Sequence, residues 1–145
     1  MKRKRTAALF ALYCAGMLLL LFGMRLGTRG EMRWNLQPLD TVCRFLWVLR
    51  YSPDPEQRLV AFANLAGNVV LFVPLGGWLP VLFAPMRRWY GALSTILLVL
   101  MGVELLQLLT ALGACDVDDL LLNFLGAWGG WLLWRTGRRA AEIGT

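Results

Sequence analysis

Polar side chains that could bind a ligand or transfer a proton recur within an apolar part of the chain. In residues 102–126, GVELLQLLTALGACDVDDLLLNFLG, leucines surround four carboxyl groups and two amides: Glu104, Gln107, Asp116, Asp118, Asp119 and Asn123. An ionisable side chain in hydrocarbon costs about 3 kcal/mol or more unless it is paired, protonated or hydrated, so these positions predict a functional site. A structural interpretation also exists, in which a neutral Glu104 hydrogen-bonds Asn68 or Asn123 and holds helices together.

The residue types limit the chemistry that such a site could perform. The sequence contains no histidine and no CxxC pair, which excludes Ser-His-Asp, Cys-His and HExxH catalysis. If a reaction occurs, Glu104 is the candidate general acid or base, together with Asp119. Whether the protein is an enzyme stays open at this point.

Composition indicates the elements that must position these groups. The 145 residues are 58% hydrophobic with a mean hydropathy of +0.56, which is too apolar for an ordinary soluble domain. Four apolar stretches, residues 7–24, 59–83, 89–112 and 117–134, have the length that crosses a bilayer as helix. We therefore predict one all-α domain, residues 1–145, built as an integral membrane bundle of four transmembrane helices.

The positions of the basic residues predict the topology. Lysines and arginines near the predicted helix ends fall at both termini and in the second connection: Lys2, Arg3, Lys4, Arg5, Arg87, Arg88, Arg135, Arg138 and Arg139. The positive-inside rule then predicts a multi-pass membrane protein with both termini in the cytoplasm. The net charge of +6 does not accompany a basic stripe with interleaved aromatic residues, so nucleic acid is not an expected partner.

The two segments predicted to face outward are residues 25–58 and the turn at 113–119. Apolar and basic residues alternate over residues 41–51, a pattern typical of a short helix in the membrane interface. Such a helix could pack over the mouth of the bundle or bind lipid. Cys43 and Cys115 both belong to these outer segments and could pair, although three cysteines define no disulfide framework.

Helix geometry predicts that polar groups from three spans meet at one depth. At about 1.5 Å per residue, Asn68, Glu104 and Asn123 lie roughly 9 to 13 Å below the outer surface. Each has a polar neighbour three or four residues away, and residues at this spacing share one helix face. Small residues on the same faces would allow close helix contact: Gly67, Gly126, Ala127 and Gly130.

Four ordered motifs give the sequence a family resemblance. NLQPL at 35–39, NLAGNVVLFVPLG at 64–76, ELLQ at 104–107 and DVDDLLLNFLGAWGG at 116–130 resemble the motifs of VanZ-like membrane proteins over residues 35–134. The resemblance implies a small protein of the bacterial inner membrane that is linked to low-level teicoplanin resistance, with the biochemical activity left open. The polar motif positions of the family correspond to Asn35, Asn64, Asn68, Glu104, Gln107, Asp116, Asp118, Asp119 and Asn123. Gly113 departs from the pattern, because similar proteins often carry arginine there.

Two hypotheses follow from the residues and the resemblance. In the first, an outward-facing site binds or modifies a membrane lipid or lipid-linked envelope component. Carboxylates would then present oxygens, with Mg²⁺ or Ca²⁺ held by Asp116, Asp118 and Asp119 as a bridge to phosphate. Amides would orient the ligand: Asn35, Asn64, Asn68, Gln107 and Asn123. In the second, the protein is a non-catalytic scaffold or small transporter subunit that uses the same groups for packing, partner docking or proton passage.

Overall fold

The computed structural model describes residues 2–22, 33–111 and 114–143 of the chain. In these residues five helices and two short strands follow one another: α1 Lys2–Phe22, β1 Arg33–Asn35, α2 Asp40–Tyr51, α3 Pro55–Leu82, α4 Trp89–Thr110, β2 Ala114–Asp116 and α5 Val117–Ile143. A 3₁₀ turn, Ala84–Arg87, joins α3 to α4. The predicted all-α bundle is therefore confirmed, and the predicted helix ends at Met24 and Leu112 lie outside the described residues.

Three of the described helices are long and apolar enough to cross a membrane: α1, α3 and α4. A helix that crosses a membrane needs an apolar face exposed to lipid. Helix α4 has such a face, on which four side chains are more than half exposed: Leu98, Met101, Leu105 and Leu109. Residues at this spacing form one helix face, which suits contact with lipid. Helix α5 has the necessary length but is more polar, with Asp118 and Asp119 in its first turn. Membrane crossing by α5, the interfacial position of α2 and the orientation of the termini stay predictions.

Helices α3 and α5 form the closest contact in the bundle. A Cβ atom at Gly126 would overlap the carbonyl oxygen of Val69, and one at Gly130 would overlap that of Val73. From the other side, a Cβ atom at Gly76 would overlap a backbone carbonyl of α5. The backbones can approach this closely only because glycine has no side chain, and small residues serve the same purpose where membrane helices pack.

The prediction that Gly67 also serves helix packing is wrong. A Cβ atom at Gly67 would meet nothing within 4 Å, and the residue is exposed. Gly67 instead lines an open groove on the outside of α3.

Helix α2 has the boundaries that the sequence predicted to within one residue, and it packs against α3 and the start of α5. Its preceding residue, Leu39, has a left-handed backbone with φ 68°, an arrangement that a branched side chain adopts at a cost of about 1 kcal/mol. The chain reaches this point through a parallel pairing of β1 with β2. This pairing was not predicted, and it brings the first outer segment onto the turn before α5.

Candidate ligand-binding site

Asp116 joins four elements at one end of the bundle. Its Oδ1 accepts the backbone N–H of Asp118 at 2.9 Å, which caps the start of α5. Its Oδ2 accepts the hydroxyl of Thr41 from α2 at 2.7 Å, and its backbone N–H donates to Oε2 of Glu104 from α4 at 3.3 Å. Asn35 of β1 lies beside the same carboxylate, with Nδ2 at 3.5 Å from Oδ2.

The strand pairing explains how Asn35 reaches this carboxylate from a position 81 residues away. Asn35 and Asp116 are partners in the parallel β1–β2 register. Backbone pairing therefore fixes the separation of the two side chains. Asn35, which the family resemblance proposed as a binding residue, lies at the edge of the site and also donates to Thr41 Oγ1 at 3.1 Å.

Asp118 is fully buried and holds the start of α2. Its Oδ1 accepts the backbone N–H of Leu39 at 2.6 Å, and its Oδ2 accepts that of Val42 at 3.0 Å. These are donors that the first turn of a helix leaves without partners inside the helix. Asp118 thus caps α2 from another helix and stabilises the left-handed backbone at Leu39.

Asp119 connects α5 to α3. Its Oδ1 accepts a hydrogen bond from Nδ2 of Asn68 at 2.5 Å. Both side chains are half-buried. This contact confirms the prediction that polar groups of these two helices meet.

Three further predicted site residues are buried at the same end of the bundle. Glu104 is 6% exposed, Gln107 is 9% exposed and Asn123 is 3% exposed. Among the described residues, Oδ1 of Asn123 has no hydrogen-bond partner. A buried acceptor without a donor costs about 1 to 3 kcal/mol, so a ligand or water that donates to it would be stabilised.

We call the following group the acid/amide cluster: Asn68, Glu104, Gln107, Asp116, Asp118, Asp119 and Asn123. Asn64 does not join it, because its side chain is exposed and its Nδ2 donates to Val60 O of the same helix at 2.8 Å. The expectation that both asparagines of α3 point into the bundle therefore holds for Asn68 only.

A groove of about 570 Å³ runs along the side of the bundle between α1 and α3. Its walls are mostly apolar, with two amides among them: Leu20, Ala63, Asn64, Gly67, Asn68, Val70 and Leu71. Asn68 belongs to both the groove and the acid/amide cluster. The groove therefore adjoins the cluster at Asn68.

The predicted metal site has no support in the part of the chain that the structure describes. There, no group of three His, Cys, Asp or Glu side chains is arranged to hold a metal ion. Asp118 uses both oxygens for backbone amides of α2, and Asp116 uses both for α5, Thr41 and Asn35. The carboxylates proposed as ligands of Mg²⁺ or Ca²⁺ are thus engaged with the protein itself.

The structure also locates two of the cysteines and an arginine near the cluster. Cys43 and Cys115 are both free, so the disulfide considered for them is absent. Burial, followed by the neighbouring charges of Glu104 and Asp116, raises the pKa of Cys115. Gly113 lies outside the described residues. The guanidinium of Arg44 lies near the cluster instead, with Nη2 at 3.4 Å from Thr41 Oγ1.

Sequence reasoning missed Thr41, which is 5% exposed and donates to Asp116. Its position at the start of the predicted helix was a weak signal, since hydroxyl side chains are common there. Only the tertiary structure shows that this hydroxyl faces a carboxylate 75 residues away.

The fold and the cluster define a class: a small helical membrane protein with carboxyl and amide side chains buried at one end of its bundle. The family model described as VanZ/LLP1 matches residues 8–138, and the chain belongs to this family. The match extends beyond the motifs to include most of α1. No curated protein and no solved structure gives a significant match to the chain.

Proposed function

We propose that this protein binds an amphiphilic component of the outer leaflet, a lipid or a lipid-linked envelope precursor, through the groove and the acid/amide cluster. The observation that carries the proposal is the position of Asn68, which lines the groove and hydrogen-bonds Asp119 of the cluster. An amphiphile that enters along α1 and α3 would therefore place its polar end at buried polar groups.

The groove has the composition that an amphiphile requires. Its volume of about 570 Å³ lies within the range of roughly 300 to 1,000 Å³ that is usual for small-molecule sites. Leu20 and Val70 of its walls are 55% and 65% exposed, so the groove is open toward the side of the bundle. In a bilayer this side faces lipid, and an acyl chain can enter without crossing water.

The cluster favours a headgroup that donates hydrogen bonds. Asn123 Oδ1 is a buried acceptor without a donor among the described residues. Asn68, whose Nδ2 donates to Asp119, lines the groove beside the cluster. Carboxylates add negative charge at the same end of the bundle. Hydroxyl groups of a sugar or the ammonium of an amine headgroup supply the matching donors.

This chemistry also suits the link of VanZ-like proteins to teicoplanin resistance. A protein that binds a lipid-linked envelope precursor in the outer leaflet would act on the same side of the membrane as a glycopeptide. The acceptor-rich cluster and the lateral groove support this assignment, and the outward orientation of the cluster is part of the proposal.

Filling the groove tests the proposal. A Cβ atom at Gly67 would meet nothing within 4 Å, so Gly67→Leu should fold normally while its side chain occupies the groove. Gly102→Leu is the matched control, because Gly102 lies in α4, outside the groove lining, and a Cβ atom there likewise meets nothing within 4 Å. We expect Gly67→Leu to lose co-purifying lipid in mass spectrometry and to lower teicoplanin resistance, with Gly102→Leu unchanged. Equal lipid retention by both variants would contradict the proposal.

A second candidate function is a non-catalytic scaffold. It is favoured by the internal use of Asp116 and Asp118, whose carboxylates hold α2 and α5 in place. Single substitutions distinguish the two functions: Asn68→Ala, Glu104→Gln and Asp119→Asn. Loss of the resistance phenotype at normal protein abundance supports a binding site, whereas parallel loss of abundance supports the scaffold.

A further inference from the structure

Four arginines surround a second pocket at the end of the bundle opposite the acid/amide cluster. The pocket has a volume of about 230 Å³ and is lined by Arg87, Trp134, Arg135, Arg138, Arg139 and Glu142. Sixteen residues of α5 separate Asp119 from Arg135, which corresponds to about 24 Å along the helix. The two sites are therefore separate.

Fixed contacts build this pocket from two distant parts of the chain. Trp131 is 1% exposed, and its Nε1 donates to Met86 O at 2.8 Å. This bond holds the 3₁₀ turn against α5. The next residue in the turn, Arg87, donates from Nε to Pro80 O at 3.1 Å, which directs its guanidinium to the end of α5.

The arginines of α5 are oriented by neighbouring indole rings. The guanidinium of Arg135 lies 5.3 Å from the ring centre of Trp131, and that of Arg138 lies 5.8 Å from that of Trp134. Arg138 also pairs with Glu142, with Nε at 2.8 Å from Oε1. Stacked guanidinium groups keep N–H donors at their edges, where an anion can bind.

The pocket carries an excess of positive charge. Its lining contains four arginines and one glutamate, a net charge of +3. A single ion pair cannot balance this charge. Like charges that line one pocket repel one another, and a bound anion would relieve that repulsion.

We propose that this pocket binds the phosphate-bearing headgroup of an anionic membrane lipid. Arginine forks match phosphate oxygens in geometry and charge. The pocket lies beside the start of α4, at the end of an apolar helix of membrane-crossing length. Basic pockets at such helix ends bind acidic lipid headgroups, and a volume of about 230 Å³ admits a headgroup while the acyl chains lie along the helices.

The test is a titration of the purified full-length protein with phosphatidylglycerol or phosphatidylcholine of the same chain length, measured by native mass spectrometry. We compare the double variant Arg87→Gln, Arg139→Gln with Arg50→Gln, Arg58→Gln, which removes the same charge from exposed positions on α2 and α3. At roughly fivefold per arginine, the pocket variant should bind phosphatidylglycerol about 25-fold more weakly. The control pair should stay within about twofold of the wild type.

The single variant Arg139→Gln keeps the test informative if the double variant misfolds. Arg139 is exposed, whereas Arg87 also hydrogen-bonds to Pro80 of α3. This single variant should lose roughly fivefold in affinity at an unchanged melting temperature. Three results would overturn the proposal: equal weakening in the control pair, equal affinity for phosphatidylcholine, or displacement of the lipid by inorganic phosphate at the same concentration. The last result would assign the pocket to a free anion.

Discussion

Substitution of Asp118 by alanine should weaken the attachment of α2 to the start of α5. The wild-type side chain is 0% exposed and accepts two backbone N–H groups, from Leu39 at 2.6 Å and Val42 at 3.0 Å. A hydrogen bond to a carboxylate contributes about 1.5 to 3 kcal/mol to the free energy of unfolding. When the acceptor is lost, the two N–H groups must hydrogen-bond to water instead. Since Leu39 is itself exposed, water can replace part of this energy. We therefore expect a loss of about 3 kcal/mol in the free energy of unfolding.

Two measurements check this expectation. Reversible unfolding in mixed detergent and dodecyl sulfate micelles gives the free energy, and hydrogen exchange reports the amides of Leu39 and Val42 directly. The comparison variant is Asp54→Ala, which removes a more exposed cap at the start of α3, where Oδ1 accepts Glu56 N at 2.9 Å. An ordinary cap contributes about 1 kcal/mol. If Asp118→Ala is no more destabilising than Asp54→Ala, and the Leu39 and Val42 amides exchange as in the wild type, then Asp118 does not hold α2.

Three further predictions concern packing, backbone strain and thiol reactivity. Gly126→Leu should abolish folding, because a Cβ atom there overlaps a backbone carbonyl of α3, whereas Gly129→Leu should fold, because a Cβ atom there meets nothing within 4 Å; gel filtration in detergent distinguishes them. Leu39→Gly should raise the free energy of unfolding by about 1 kcal/mol, since glycine adopts a φ of 68° without strain; a loss of stability would contradict this. A membrane-impermeant maleimide should label the exposed Cys43 faster than Cys115, whose raised pKa leaves less thiolate near pH 8. Raising the pH should narrow the difference between the two labelling rates. Protection of Cys43 from the reagent in intact cells would contradict the outward orientation of α2.

The sequence alone predicted where the long apolar helices lie. Residues 59–83 and 89–112 were predicted as spans, and the structure has helices at Pro55–Leu82 and Trp89–Thr110. Long apolar runs leave a chain few alternatives to helix, because lipid offers no partners for backbone N–H and C=O groups. Helix α5 extends further than predicted, to Ile143. The last turns of α5 are polar, so a prediction based on hydropathy placed the end of the span before the end of the helix.

The sequence predicted which side chains of the cluster face the bundle, but it did not predict the partners of their atoms. Spacing along each helix shows which side chains share a face, and this places Asn68, Glu104 and Asn123 correctly inside the bundle. Spacing does not show which atoms meet. Asp118 was considered as a metal ligand, and the structure instead assigns both of its oxygens to the backbone of α2.

The sequence by itself determined the membrane character, the helices and the end of the bundle at which carboxyl and amide groups collect, since hydropathy and helical periodicity are local properties of the chain. Only the tertiary structure decided that β1 pairs with β2, that Asn64 points outward along a lateral groove, and that Arg87 joins the arginines of α5 around one pocket. Each of these contacts joins residues far apart in sequence. Such contacts depend on how packed helices and loops fit together in three dimensions, and no local pattern encodes that fit.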